Sequence, residues 1–293
     1  MVDLCQVLFN SLVTGSLYLL AGTGLTLTYG LSRFPNFAYA EFITLGGFIG
    51  YVMVEQKNVP FLLAFLVAFI VTGLISALAY GLIFQPLVRR KASLIHLMVA
   101  SIGLGYILRY GMGEIWGWSA LSFTVSWPLY DCSTVRITGL WLWLIFTAVI
   151  LGFALHVLLA NTKTGKAIRG IATNPELALI SGVNIERVIF FTWIIGAGLA
   201  AVAGIFRGAD ARLTPMLGWD ILLPIFAASV LGGIGNFYGL IIAAYILGLA
   251  ENLGVIFLTA VGLSTEYRMA IAFLILIIAL ILKPQGLGKN RGG

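Results

Sequence analysis

Residues 61–85 read FLLAFLVAFIVTGLISALAYGLIFQ, a run without a single charged side chain. As a helix rising 1.5 Å per residue it measures about 37 Å, longer than the ~30 Å hydrocarbon core of a bilayer. A helix apolar on every face belongs either in a membrane or at the centre of a large protein. The rest of the chain decides between the two. Of its 293 residues 60% are hydrophobic and 10% charged, with mean hydropathy +1.05, where an ordinary soluble domain carries about 25% charged residues. Comparable segments place spans near residues 8–31, 36–54, 61–85, 93–112, 139–160, 188–206, 220–235, 236–258 and 267–283. The fold class is therefore all-α: one polytopic transmembrane bundle of about eight to ten spans, filling residues 1–293.

The segment 220–235 is the shortest, and Pro224 and the GGIG of 232–235 interrupt it. It reads either as a short crossing or as a re-entrant half-helix, which would require protein or a polar cavity around its freed backbone groups. Glycine clusters inside spans, as in GAGLAAVAG at 196–204, predict closely packed helices.

Basic residues orient the bundle. Eleven of the 17 Lys and Arg fall in one set of loops: Arg33, Arg89, Arg90, Lys91, Lys163, Lys166, Arg169, Arg187, Lys283, Lys289 and Arg291. Lys57, Arg109, Arg136, Arg207, Arg212 and Arg268 fall to the other side. The positive-inside rule puts the first set in the cytoplasm, with the N-terminus outside and the C-terminus inside a multi-pass protein of the cell membrane. The opening MVDLCQVLFNSLVTGS has neither a basic n-region nor a cleavage site, so it does not read as a signal peptide. The net charge of +6 belongs to these loops and implies no nucleic-acid partner. The outer loop 113–138, rich in Trp and Ser, reads as an interfacial anchor or an external docking surface.

Several chemistries are missing from the sequence. No GxxxxGK[ST] occurs, and TKTGKA at 162–167 lacks the first glycine, so no loop of the usual kind cradles nucleotide phosphates. His96 and His156 stand alone, no HExxH is present, and Cys5 and Cys132 have no metal spacing. No nucleophile–base pair, cofactor site or metal site is expected, and an enzyme is not indicated.

The polar insertion at 161–188, NTKTGKAIRGIATNPELALISGVNIERV, predicts two short helices. The first covers Gly165 to Ile171, with Lys166 and Arg169 three apart on one face. The second opens at Asn174 as N-cap, with Pro175 at the first position and Glu176 in the first turn, and ends at Gly182. A helix–turn–helix of this kind beneath a membrane bundle suits a docking element.

The segment GKAIRGIATNPELALISGVNIERVIFFTWIIGAGLAAVAG at 165–204 resembles the signature of permease subunits from branched-chain amino-acid ABC importers. The resemblance continues in GLTLTYGLSRFPNFAYAEFITLGGF at 24–48, ASIGLGYILRYGMGEIWG at 100–117 and FAASVLGGIGNFYGLIIAAYILGLAENL at 226–253. The chain departs from the family at Tyr39 and Ala40, where the family has His and Gly, and at Arg109, where it commonly has Gln. The resemblance implies a permease domain whose partners are a second permease subunit, two ATP-binding cassette subunits docked on the 161–188 loop, and an external binding protein delivering a small solute. A urea or short-amide importer of the same architecture is the nearest alternative. A self-sufficient channel or secondary carrier is another, although it would have no use for such a dock.

Glu41 is the one acid in FPNFAYAEFITLGGF, residues 34–48, and nothing basic lies between Pro35 and Glu55. An intramembrane carboxylate is expected to be functional or paired. Three roles are open for it: bonding a neighbouring helix or subunit, lining a solute path, or sitting at the cytoplasmic interface. Asn36 reads as the cap of its helix. Asn36-Phe37 is echoed by Asn236-Phe237, which opens a second span carrying another apolar-embedded acid, Glu251. Paired interrupted segments point to a transporter's pathway, so Asn36, Tyr39, Glu41, Asn236 and Glu251 are the pathway candidates.

Overall fold

A computed structural model describes residues 4–132, 135–282 and 286–287. Its helices, in chain order, are α1 (Leu4–Ser32), α2 (Tyr39–Tyr51), α3 (Phe61–Ala79), α4 (Gln85–Arg89), α5 (Leu94–Trp116) and α6 (Gly139–Asn161), followed by α7 (Lys163–Thr173), α8 (Pro175–Ile180), α9 (Ile185–Asp210), α10 (Leu217–Gly232), α11 (Phe237–Ala260) and α12 (Arg268–Leu282). Wider π turns at Val52–Gln56 and Tyr80–Phe84 prolong α2 and join α3 to α4. Among the described residues six helices are long and apolar enough to cross a membrane: α1, the continuous Phe61–Arg89, α5, α6, α9 and α11. The shorter α2, α10 and α12 occupy the other expected segments. Of the basic residues used for orientation, Lys283, Lys289 and Arg291 lie outside the described residues.

α1 is the central post. From Gly15 to Thr28 it is buried on every face, enclosed by α6, α9, α10 and α11. α2 and α3 lean on the other side of α9. Small residues allow this. A Cβ added at Gly204 would run into the Ile43 carbonyl oxygen, and one at Gly46 into the backbone of Ala201, so α2 and α9 meet nearly backbone to backbone. Tyr39 ties the layers together: its hydroxyl donates to the Ala21 carbonyl at 2.6 Å and lies 3.3 Å from that of Gly196. Large apolar side chains such as Leu62, Leu66, Ile107, Phe146 and Phe153 point outward, which lipid tolerates because its tails are as apolar as leucine.

The segment near 220–235 runs the length of the bundle. The N-terminal part of α10, with Asp220 and Pro224, lies beside Val13 and Thr14 in the early turns of α1. Beyond its other end, Gly235 packs on Gly30 near the close of α1. Those two levels of α1 are about 24 Å apart, which is also the length of the 16-residue α10. A re-entrant half-helix would have returned to its starting side.

The loop after α5 has structure of its own. It forms an antiparallel hairpin, β1 (Leu129–Cys132) and β2 (Val135–Thr138), with Leu129 opposite Thr138. Glu55 accepts from the Thr124 N–H at 2.7 Å, and Trp127 packs edge-on against Phe61 at 5.0 Å, holding the loop over the bundle end.

Candidate functional site

Three places hold the candidate residues. The first is the α7–α8 segment between α6 and α9. Thr162 caps α7 by accepting from the Gly165 N–H at 3.0 Å, and α7 turns Gly165, Ile168 and Ile171 inward. Gly165 has no room for a side chain, because a Cβ there would collide with the Leu158 carbonyl oxygen. Arg169 donates to the Leu159 carbonyl, so this cation fastens α7 beneath the last turn of α6, while Lys166 stays exposed. Asn174 caps α8 through the Leu177 N–H at 3.0 Å, with Pro175 and Glu176 in its first turn. Gly182 follows with φ +82°, a left-handed conformation favouring glycine. Sequence reasoning attended to charges here and missed the apolar side chains of α8: Leu177, Leu179 and Ile180 are 61%, 61% and 84% exposed. Leu177 lines a groove of about 580 Å³ together with Lys166, Arg169 and Asn174. Arg89 braces the neighbouring ends through a bidentate contact with Glu186 at 3.0 and 2.9 Å.

The second place is the break before α2. Residues 33–38 are not helical, yet Phe34 and Asn36 are buried and the Phe37 N–H donates to Ser101 Oγ, in the second turn of α5, at 3.1 Å. Non-helical backbone at depth is tolerated where protein surrounds it. Asn36 is not the helix cap. α2 starts at Tyr39, and the Asn36 side chain instead accepts from the Ala38 N–H at 3.1 Å in a local turn. Asn236 does cap its helix, accepting from Gly239 N–H at 3.0 Å, so the two Asn-Phe pairs are not structurally alike. Asn236 lies near Arg169 and Ile168 in a second groove, of about 830 Å³.

Glu41, 0% exposed, is paired with Arg109 of α5. Arg109 Nε donates to Glu41 Oε1 at 3.0 Å and Nη2 donates to the same oxygen. The guanidinium carbon lies 4.6 Å from the Trp219 ring of α10, within cation–π range. Arg109 is thus a buried residue about two turns inside α5, not a loop charge bearing on orientation. Of the roles open to Glu41, bonding a neighbouring helix is the one observed. Burial and apolar context flagged the acid, but nothing local could name a partner 68 residues away.

The third place is a cavity of about 270 Å³ at the end of α9 remote from α7–α8. Glu251 of α11, Arg207 and Asp210 of α9, Asp220 of α10 and Arg268 of α12 contribute charge to its wall. Glu251 is 1% exposed, and its Oε2 accepts from Tyr18 Oη and Arg268 Nε, both at 2.8 Å. Sequence reading picked out Glu251 but none of these companions, which the tertiary fold gathers from five helices. Among the described residues no group of His, Cys, Asp and Glu is placed to hold a metal ion.

An all-α bundle of apolar helices, with charged groups paired inside it, a charged cavity toward one end and a structured platform at the other, has the architecture of a polytopic membrane protein. Residues 7–280 match the family described as the permease component of branched-chain amino acid transport systems, and the chain belongs to that family. It is a family of transport permeases, not of enzymes. The chain is 30% identical over 291 residues to the probable branched-chain amino acid transport permease protein LivH of Methanocaldococcus jannaschii, covering 96% of this chain and 91% of that one. It is 29% identical over 300 residues to the high-affinity branched-chain amino acid transport system permease protein LivH of Escherichia coli K12, covering 96% and 94%. Its fold is similar to a chain of PsaBC from Streptococcus pneumoniae in complex with Fab, with TM-score 0.52 and 15% identity over 97% of this chain and 93% of that chain.

Proposed function

We propose that this chain is the membrane-spanning subunit of an ABC importer for branched-chain or related amino acids. It pairs with a second permease subunit, takes solute from an external binding protein, and is driven by two ATPase subunits seated on α7–α8. The N-terminus lies outside and the C-terminus in the cytoplasm.

The exposed apolar triplet Leu177, Leu179 and Ile180 carries this reading. Three large apolar side chains on one short capped helix, outside the apolar spans and next to a groove, suit a soluble protein partner better than water. The sequence has no nucleotide cradle of the usual kind, so a power stroke has to arrive from another chain. Gly165, Arg169, Asn174 and Gly182 hold the two helices in place, and Lys166 and Glu176 supply charge at the contact. Rocking this platform shifts α6 and α9, which α7 and α8 join, and so changes the side to which the bundle opens.

The test is uptake of labelled Leu, Ile, Val and urea by proteoliposomes containing the assembled complex and ATP. Leu177→Asp, Ile180→Asp and Gly182→Leu variants are assayed in parallel for co-purification of the ATPase subunits. Amino-acid uptake in wild type, with loss of ATPase recovery in the variants and normal membrane insertion, supports the reading. Urea uptake alone would move it to the amide importers, and full ATPase recovery in all three variants would refute the dock.

A further inference from the structure

We infer that the cavity around Glu251 is a solute site within a single subunit, shaped for a zwitterionic amino acid with an apolar side chain. Glu251 receives the ammonium group, Arg207 the carboxylate, and Leu140, Leu144 and Phe206 the side chain. This rests on the amino-acid reading above and adds where one protomer holds the solute and by which groups.

The wall carries both signs of charge as well as apolar surface. That mixture suits neither a lone ion nor an uncharged amide, whereas an amino acid presents all three features. The volume of about 270 Å³ falls just under the ~300–1,000 Å³ typical of drug-sized ligands, which sets the solute's scale.

The carboxylate of Glu251 is half satisfied. Tyr18 and Arg268 both donate to Oε2, while the buried Oε1 has no hydrogen-bond partner. A buried carboxylate oxygen left without a donor is unfavourable, and an ammonium group brings three donors. Arg207, also in the wall, is half-buried and interacts electrostatically with Asp220 and Glu251, but among the described residues its side chain makes no hydrogen bond or close ion pair, so its planar fork of donors can still match a carboxylate. Pro224, also in the wall, has no N–H to return to the Asp220 carbonyl four residues before it, which leaves one more acceptor at this level of α10. Apolar side chains of α6 and α9 complete the enclosure.

The test uses the assembled complex without binding protein, so that only the membrane subunits meet the solute. Val13→Cys is placed on the cavity wall in a Cys5→Ser, Cys132→Ser background, and its modification by a maleimide is timed. Leucine is expected to slow the reaction several-fold. Leucinamide, which lacks the carboxylate, and 4-methylpentanoate, which lacks the ammonium, should protect far less. Arg207→Gln should abolish the preference of leucine over leucinamide, and Glu251→Gln that over 4-methylpentanoate. Should Glu251→Gln fail to assemble, Arg207→Gln alone decides, because among the described residues that guanidinium makes no hydrogen bond or close ion pair. Equal protection by all three compounds, or unchanged discrimination in Arg207→Gln, would overturn the site. Leucine uptake by the same complex separates the two claims. Uptake without protection overturns the subsite alone, and protection without uptake overturns the transport reading while the site stands.

Discussion

Replacing Glu41 by alanine should destabilise the bundle by about 3–5 kcal/mol, the usual cost of removing one member of a buried ion pair. The structure supports a value in that range. Glu41 is fully enclosed and Arg109 is 8% exposed, so water does not readily reach the abandoned guanidinium. Trp219, at 4.6 Å, keeps its cation–π contact, worth about 0.5–2 kcal/mol, but this cannot replace a carboxylate. Glu41→Gln should cost less, about 2 kcal/mol, because its amide oxygen still accepts from a charged donor, a bond worth about 1.5–3 kcal/mol. The double variant Glu41→Gln, Arg109→Gln buries two neutral amides able to bond each other and should return to within about 1 kcal/mol of wild type. The assay is reversible unfolding in mixed detergent micelles, followed by circular dichroism, arranged as a double-mutant cycle. Additive single effects, or a loss below about 1 kcal/mol for Glu41→Ala, would refute the view that this pair is a dry, mutually dependent contact between α2 and α5.

Two further outcomes follow from the packing and the charge pattern. Gly204→Val should destabilise by about 1–3 kcal/mol or more, since its side chain would meet the Ile43 carbonyl, whereas Gly152→Ala, at a site with nothing within 4 Å, should be nearly neutral; thermal unfolding of the purified protein compares them, and equal stability would disprove the close α2–α9 approach. For sidedness, single cysteines at Lys166 and Trp118 in a cysteine-free background should react differently with an impermeant thiol reagent in intact cells, position 118 labelling and position 166 staying protected. Labelling at 166 would invert the orientation.

What was readable in the chain is what depends on neighbours along it. Transfer of an apolar helix into lipid is set by about 20 consecutive residues, so each expected span has a helix near its place. The α7–α8 caps were equally local: Asn174 followed by Pro175, and a glycine at 182, specify a helix start and stop within a few residues. Where local reasoning erred, a long-range contact had intervened. Asn36 does not cap α2, because Phe37 is drawn to Ser101 across the bundle and the helix begins three residues later. Arg109 looked like a charge on the outer side and proved to be the partner of Glu41. For the segment of Pro224, where a short crossing and a re-entrant half-helix were both open, the backbone carries on to the far end as a crossing does. The charged cavity was the least legible feature. Glu251 could be singled out as an acid among apolar residues, but Tyr18, Arg207, Asp220 and Arg268 are brought to it only by the rotation of each helix about its own axis and by the small-residue contacts that set helix spacing. The sequence by itself determined the membrane class, the placing of the spans and the capped α7–α8 segment, because their energetics are local. Only the tertiary structure decided which buried charges meet, because that depends on how distant helices pack, and one-dimensional order does not record it.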